Sequence, residues 1–185
     1  MVVDLVGQQA ALGELEGPLA AAGFRPYKRL FRMARTLWAA TASGAAPDAR
    51  VVPADPATCE PILDLLLLSF DRRAEQIPML YELKAAASAG QIRAVWAEGQ
   101  LAGLLFFETQ GLTSTLRYWL IAPQFRARRL GSGLMRHYFS QHPTVRRFLL
   151  WVLADNCDAI AKYEHYGYTA DGLLDQVFAT EMIQP

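Results

Sequence analysis

Three arginines and two glycines fall within eight residues, Arg126-Ala127-Arg128-Arg129-Leu130-Gly131-Ser132-Gly133. An apolar run from Leu116 to Ile121 precedes them and stops at Ala122-Pro123. Proline has no N–H to give to a central strand, so the strand ends there. Beyond the arginines, Leu130, Leu134, Met135, Tyr138 and Phe139 recur at helical spacing. The segment therefore reads as strand, basic turn, helix. The free N–H groups of a starting helix favour an anion, glycine lets the backbone come close to a ligand, and arginine adds forked, permanently charged donors. Such a turn suits a phosphate or pyrophosphate. A plain strand-to-helix connection with solvated arginines would show the same pattern. The stretch is neither a P-loop nor a G-x-G-x-x-G fingerprint, because no Gly-Lys-Ser/Thr follows and the glycines are too few.

A second constellation is Asn156-x-x-Ala159-x-x-x-Tyr163-x-x-Tyr166-Gly167-Tyr168. Asn156 can cap a helix or hydrogen-bond a ligand amide. Ala159 and Tyr163 stand one turn apart on one helix face. A small residue at 159 leaves room for a ligand, and Tyr163 projects a hydroxyl toward it. The commoner role for such a tyrosine is a core ring with one hydrogen bond. His137, His142 and His165 show no metal-ligand spacing and read as surface residues, so no metal is expected.

These residues need elements to hold them. The chain has 185 residues, 52% of them hydrophobic and 19% charged, with zero formal net charge, which specifies a packed core. Zero net charge argues against bulk attraction to nucleic acid or to a membrane surface, and no apolar run approaches a membrane span. Two cysteines, Cys59 and Cys157, and no secretory leader make a reducing cytoplasm the expected location. Residues 1–48 read as an extension. Gln8–Ala22 is helical but interrupted at Gly13 and Gly17-Pro18; Tyr27–Trp38 is a strand that leaves open pairing with its own sheet or with a second copy as a homodimer; Thr41–Asp48 is a linker. Residues 49–185 then read as β-α-α-β-β-β-α-β-α-β-β, the final pair turning at Asp171-Gly172. Consecutive strands followed by alternation with helices place the chain in the mixed α/β class around one sheet.

Pro123-x-Phe125-Arg126-x-x-x-Leu130-Gly131-x-x-Leu134 resembles the acetyl-CoA-binding motif of the GNAT superfamily of N-acetyltransferases. The Asn156 to Tyr168 pattern resembles that superfamily's other motif, with every marked position filled. Arg129 departs from the pattern by standing at the first motif glycine. Together the resemblance covers about 135 residues. It implies an acyl-CoA N-acyltransferase fold, with a mixed central sheet and helices on both faces. It also implies direct acyl transfer from acetyl-CoA, the acyl donor, to an amine acceptor.

On that resemblance the diphosphate falls to the backbone N–H groups across Arg128, Arg129, Leu130, Gly131, Ser132 and Gly133, helped by Arg126. Asn156 and Ala159 bind the rest of the coenzyme. A main-chain N–H at Leu120 or Ile121 polarises the thioester carbonyl. Tyr163 gives a proton to the leaving thiolate, which a tyrosine of ordinary pKa ~10 can do when within hydrogen-bond reach. The strand leading to the basic turn carries no carboxylate where many members have a glutamate, so Glu108 is the nearest candidate base and Asp155 the second. Asp71, Arg72, Arg73 and Glu75 lie where acceptor selection is expected.

Leu19 to Phe24 followed by a strand echoes Tyr163 to Tyr168 followed by a strand. The N-terminal extension thus looks like the tail of a second, upstream unit of the same kind. Two other readings compete with an N-acetyltransferase. One is a non-catalytic acyl-CoA-binding or interaction module; the other is a nucleotide-binding protein of another fold.

Overall fold

The computed structural model describes residues 1–37, 48 and 50–180. Most of the expected linker at 41–48, together with Trp38 and the last five residues, lies outside the described residues. The elements are β1 (Val2–Gly7), α1 (Gln9–Ala21), β2 (Phe24–Thr36), β3 (Val51–Pro53), α2 (Cys59–Ser69), α3 (Leu80–Ser88), β4 (Ile92–Ala97), β5 (Gln100–Gln110), β6 (Thr113–Ile121), α4 (Leu130–Ser140), β7 (Arg147–Leu153), α5 (Cys157–His165) and β8 (Thr169–Thr180). The class is mixed α/β, as the alternation of patterns requires. The chain forms two compact units: Met1–Arg35 with the residues from Leu149 onward, and Thr36–Phe148.

In the larger unit the strands run β6-β5-β4-β3, each pair antiparallel. Leu101 to Phe107 of β5 is buried on both faces, which is why it reads as an unbroken apolar run. β6 alternates instead: Ser114, Leu116 and Tyr118 are buried while Thr115, Arg117 and Trp119 are half-buried. Ile62 and Leu66 of α2 and Leu83 of α3 pack on Ile92, Leu104, Phe106 and Tyr118. Each fully buried Leu or Ile contributes roughly 1.5–3 kcal/mol. Asp55 starts this helical region by accepting from Ala57 N–H at 2.8 Å, as its place before Pro56 predicts.

The smaller unit is built from two β-α-β pieces that exchange strands. β1-α1-β2 and β7-α5-β8 lie in the order β1-β8-β2-β7. β8 pairs antiparallel with β1 on one side and β2 on the other. Both helices end on a left-handed glycine, Gly23 at φ 86° and Gly167 at φ 83°, before the next strand.

Four expectations need correction here. Strand β1, within Met1 to Gly7, was not anticipated. Helix α1 is continuous through Gly13 and Gly17-Pro18. It is exposed on nearly every side, so water can satisfy the carbonyl that loses its bond at Pro18. The final two strands are one, β8. Its Asp171-Gly172 turn signal becomes a bulge, with Arg32 facing three residues between the pairs Phe31–Leu174 and Met33–Ala170. The neighbours of β8 come from the N-terminal segment, which leaves β8 no need of a hairpin partner. Of the histidines only His165 is exposed; His137 and His142 are half-buried.

Candidate active site

After β6, a single 3-10 turn at Pro123–Phe125 anchors Phe125, which is buried, and the chain then enters the basic turn. Ala127 (φ 65°) and Arg129 (φ 58°) are both left-handed. Arg129 is the residue before α4, so the position where glycine was expected is one whose backbone favours glycine. These two reversals lead the chain into the start of α4. Gly133 N–H is the first to find a carbonyl, that of Arg129 at 3.2 Å. The preceding N–H groups of Leu130, Gly131 and Ser132 receive no side-chain cap, and the first turn carries no acid. A turn of this kind presents several positive N–H ends together.

The arginines divide their tasks. Arg128 Nη1 donates to Glu98 Oε1 at 2.6 Å, and its guanidinium lies 5.1 Å from the centre of the Phe125 ring. Arg126 and Arg129 are exposed, and their side chains bond to no other described residue. Gly131 holds α4 close to β6, since a Cβ there would meet Trp119 at 3.2 Å and Ile121 at 3.5 Å. Gly133 faces the Asp48 carboxylate, which a Cβ would strike. Asp48 is itself gripped by Arg50 at 2.7 Å, with Arg136 at 3.9 Å. Its hydrogen bonds from Arg50 hold its carboxyl down at about 2.

Two residues that sequence reasoning missed shape the end of β6. Gly103 of β5 pairs with Ile121, and any Cβ on it would run into the Ile121 side chain and stand 2.8 Å from the Leu120 carbonyl. A glycine inside an apolar strand was the available signal. Tyr118 donates its hydroxyl hydrogen between the carbonyls of Glu75 at 2.7 Å and Gln76 at 2.8 Å. Burial pushes that phenol up to about 12. Tyr118 thereby pins the loop between α2 and α3. In the same loop Asp71 Oδ1 accepts from the N–H groups of Arg73 and Ala74, and Glu75 Oε2 accepts from Asp71 N–H. Both acids hold the loop's own backbone.

Glu108 accepts from Arg117 Nη1 at 2.9 Å and is exposed. It pairs with Thr115, five residues and about 17 Å along β6 from Leu120. The structure does not bring Glu108 and Leu120 together. Asp155 is also taken, by Lys28 Nζ at 2.7 Å.

In the smaller unit, Asn156 caps α5 by accepting from Ala159 N–H at 3.1 Å. Ala159 is half-buried, and Tyr163, one turn on, is buried with its ring edge-on to Tyr168 at 5.9 Å. All three hold the helix positions their spacing predicts.

The family model described as acetyltransferase (GNAT) family matches residues 60–168, more than half of the chain. The chain belongs to the GNAT family. The match, from Glu60 through Tyr168, contains both motifs singled out in the sequence.

Solved structures with the same fold include a GNAT-family protein from Novosphingobium aromaticivorans. It is 18% identical, with a TM-score of 0.65, covering 98% of this chain and 75% of that one. A tandem GNAT protein from the clavulanic acid biosynthesis pathway is 16% identical, with a TM-score of 0.63, covering 96% of this chain and 62% of that one. The PaiA N-acetyltransferase from Thermoplasma acidophilum, in complex with coenzyme A, is 11% identical, with a TM-score of 0.54, covering 69% of this chain and 96% of that one. At these identities the likeness shows the fold alone. This chain thus spans under two thirds of the tandem protein but three quarters of the first. A search of curated proteins gives no match. Among the described residues no helix is long and apolar enough to cross a membrane.

Proposed function

We propose that this GNAT chain moves an acetyl group from acetyl-CoA to an amine by direct transfer. The observation that carries the reading is the turn at Arg126–Arg129: two left-handed residues leading into a helix start with no side-chain cap and no acid among its own first-turn residues. Backbone N–H groups there suit a diphosphate whatever side chain stands at position 129, which removes the objection raised by the missing glycine. Arg126 and Arg129 add charge without giving up another partner among the described residues. Arg128 contributes its backbone, its side chain being engaged by Glu98.

In the reaction the amine lone pair attacks the thioester carbonyl carbon. A main-chain N–H at Leu120 or Ile121 stabilises the oxyanion, the C–S bond breaks as it collapses, and the thiolate takes a proton from Tyr163; the nitrogen gives its proton to solvent, from which the Tyr163 phenolate is reprotonated. Asn156 and Ala159 line the coenzyme's path on α5. Glu108 keeps no part in the first proton transfer under this reading, because its distance from Leu120 is too great for one bridging water. We assign residues 49–185 to the catalytic domain, with residues 1–48 supplying β1 and β2. Acceptor selection is assigned to the α2–α3 loop, where Arg72 and Arg73 supply positive charge.

The test is release of free coenzyme thiol from acetyl-CoA across a panel of primary amines. Amine-dependent release supports the reading. Binding of acetyl-CoA, seen as a raised Tm, with no release from any amine would favour the non-catalytic module instead.

A further inference from the structure

Among the described residues Asp175 is the only buried carboxylate. It is 7% exposed, and its Oδ1 reaches neither solvent nor a hydrogen-bond donor. Register fixes what stands beside it. Asp175 is opposite Leu30 of β2, and the next pair on the same face aligns Lys28 and Asp4 with Val177. Asp4 therefore shares the face and adds a second negative charge. Lys28 pairs with Asp155 at 2.7 Å, and Arg32 with Asp171 at 2.8 Å. Arg29 points to the opposite face, where it bonds Gln176 at 2.8 Å. Burial, reinforced by Asp4, lifts the Asp175 carboxyl to about 6. A buried acid with no partner is costly to keep and marks a candidate for function.

Its place in the unit is informative. Ala154 N–H donates to the Arg29 carbonyl at 2.8 Å, so the end of β7 is level with Leu30 and hence with Asp175. Two strand spacings, about 10 Å, separate them. At that end the chain passes through Asn156 into the helix that carries Tyr163.

We infer that Asp175, with Asp4 beside it, binds a primary ammonium group, and that the acceptor of the acyl transfer carries that group. This rests on the acyl-transfer reading for the acceptor's role. A compact ammonium with three donors suits the pair. A metal ion would lack further ligands, because no group of three His, Cys, Asp or Glu side chains gathers among the described residues.

The experiment compares wild type and Asp175→Asn, an isosteric change that removes the uncompensated charge and should leave the fold intact. Tm is followed with butylammonium chloride against tetramethylammonium chloride at equal ionic strength, and amine-dependent thiol release is measured alongside. Butylammonium should raise the Tm of wild type by several degrees and leave the variant unmoved. Thiol release should fall at least about 50-fold in the variant, while acetyl-CoA still raises its Tm. Asp4→Asn should raise the KM for the amine several-fold. Equal response to the two salts in wild type overturns the inference and makes the acids a proton-sharing pair only. So does a variant that keeps wild-type release. Should butylammonium act as expected while acetyl-CoA shifts neither protein, the ammonium site stands and the acyl-transfer reading fails.

Discussion

Pieces β1-α1-β2 and β7-α5-β8 share one plan and differ in chemistry. Each has a helix, a left-handed glycine and a strand that pairs with the other's. Aligned on Gly23 and Gly167, Leu12 stands where Asn156 stands, Leu15 where Ala159 stands, and Leu19 where Tyr163 stands. Leu12 is the only buried residue of α1, whereas α5 has a side-chain cap, a half-buried small residue and a buried phenol. The strand exchange needs only the plan, while acyl transfer needs the polar set, and that set exists in one copy. The first piece gives β8 its neighbours; in the proposed reaction the second supplies the proton donor.

The sharpest way to break this contrast is to change the two aligned positions. Tyr163→Phe should lower turnover by about 100-fold with little change in acetyl-CoA affinity, whereas Leu19→Ala should leave turnover within two-fold. Steady-state kinetics beside calorimetric binding decides it. Loss of binding in parallel with turnover would make Tyr163 a packing residue. The glycines should instead behave alike: Gly23→Ala and Gly167→Ala should each cost roughly 1–2 kcal/mol in urea unfolding, because both force an L residue into left-handed backbone. A cost at Gly167 alone would deny the shared plan.

Acid should separate the two units further. The folded Asp175 carboxyl sits near 6, above its unfolded value, so the folded state takes up protons first as pH falls. That contribution grows from pH 6 down toward 4 and amounts to about 1–2 kcal/mol once partial hydration is allowed for. In the larger unit, burial lowers the imidazoles of His137 and His142, with Arg93 adding to it. Their contribution is complete above about 6.5 and is lost as pH falls through their folded values. Hydrogen exchange at pH 7 and pH 5 should therefore show β8 amides gaining protection and α4 amides losing it. A change of one sign in both units would contradict these assignments. The smallest expected effect is Arg129→Gly, which relieves a left-handed non-glycine and should raise stability by up to about 1 kcal/mol, read as the urea midpoint.

From residue 50 to residue 168 the order of elements was legible because each is local. Apolar spacing marked β5, β6, α4 and α5, and Asp55-Pro56 and Pro123 marked boundaries. β1 was not legible: six residues with one buried neighbour set take their strand character from β8, some 170 positions away. The Asp171-Gly172 signal misled for the same reason, since a turn and a bulge use the same residues and only the partner strand chooses between them. The turn before α4 could be read from its proline, arginines and glycines. Asp175 could not, because its isolation depends on Asp4 beside it and on the partners already taken by Lys28 and Arg32. Tyr118 hid likewise, its two carbonyl partners lying more than forty residues away.

Titration of the wild-type protein with coenzyme A and, separately, with pantetheine puts the helix-start turn to the question most directly. If the amides of Leu130 to Ser132 hold the diphosphate, coenzyme A should bind at least about 100-fold more tightly than the fragment that lacks it. Equal affinities would contradict the account.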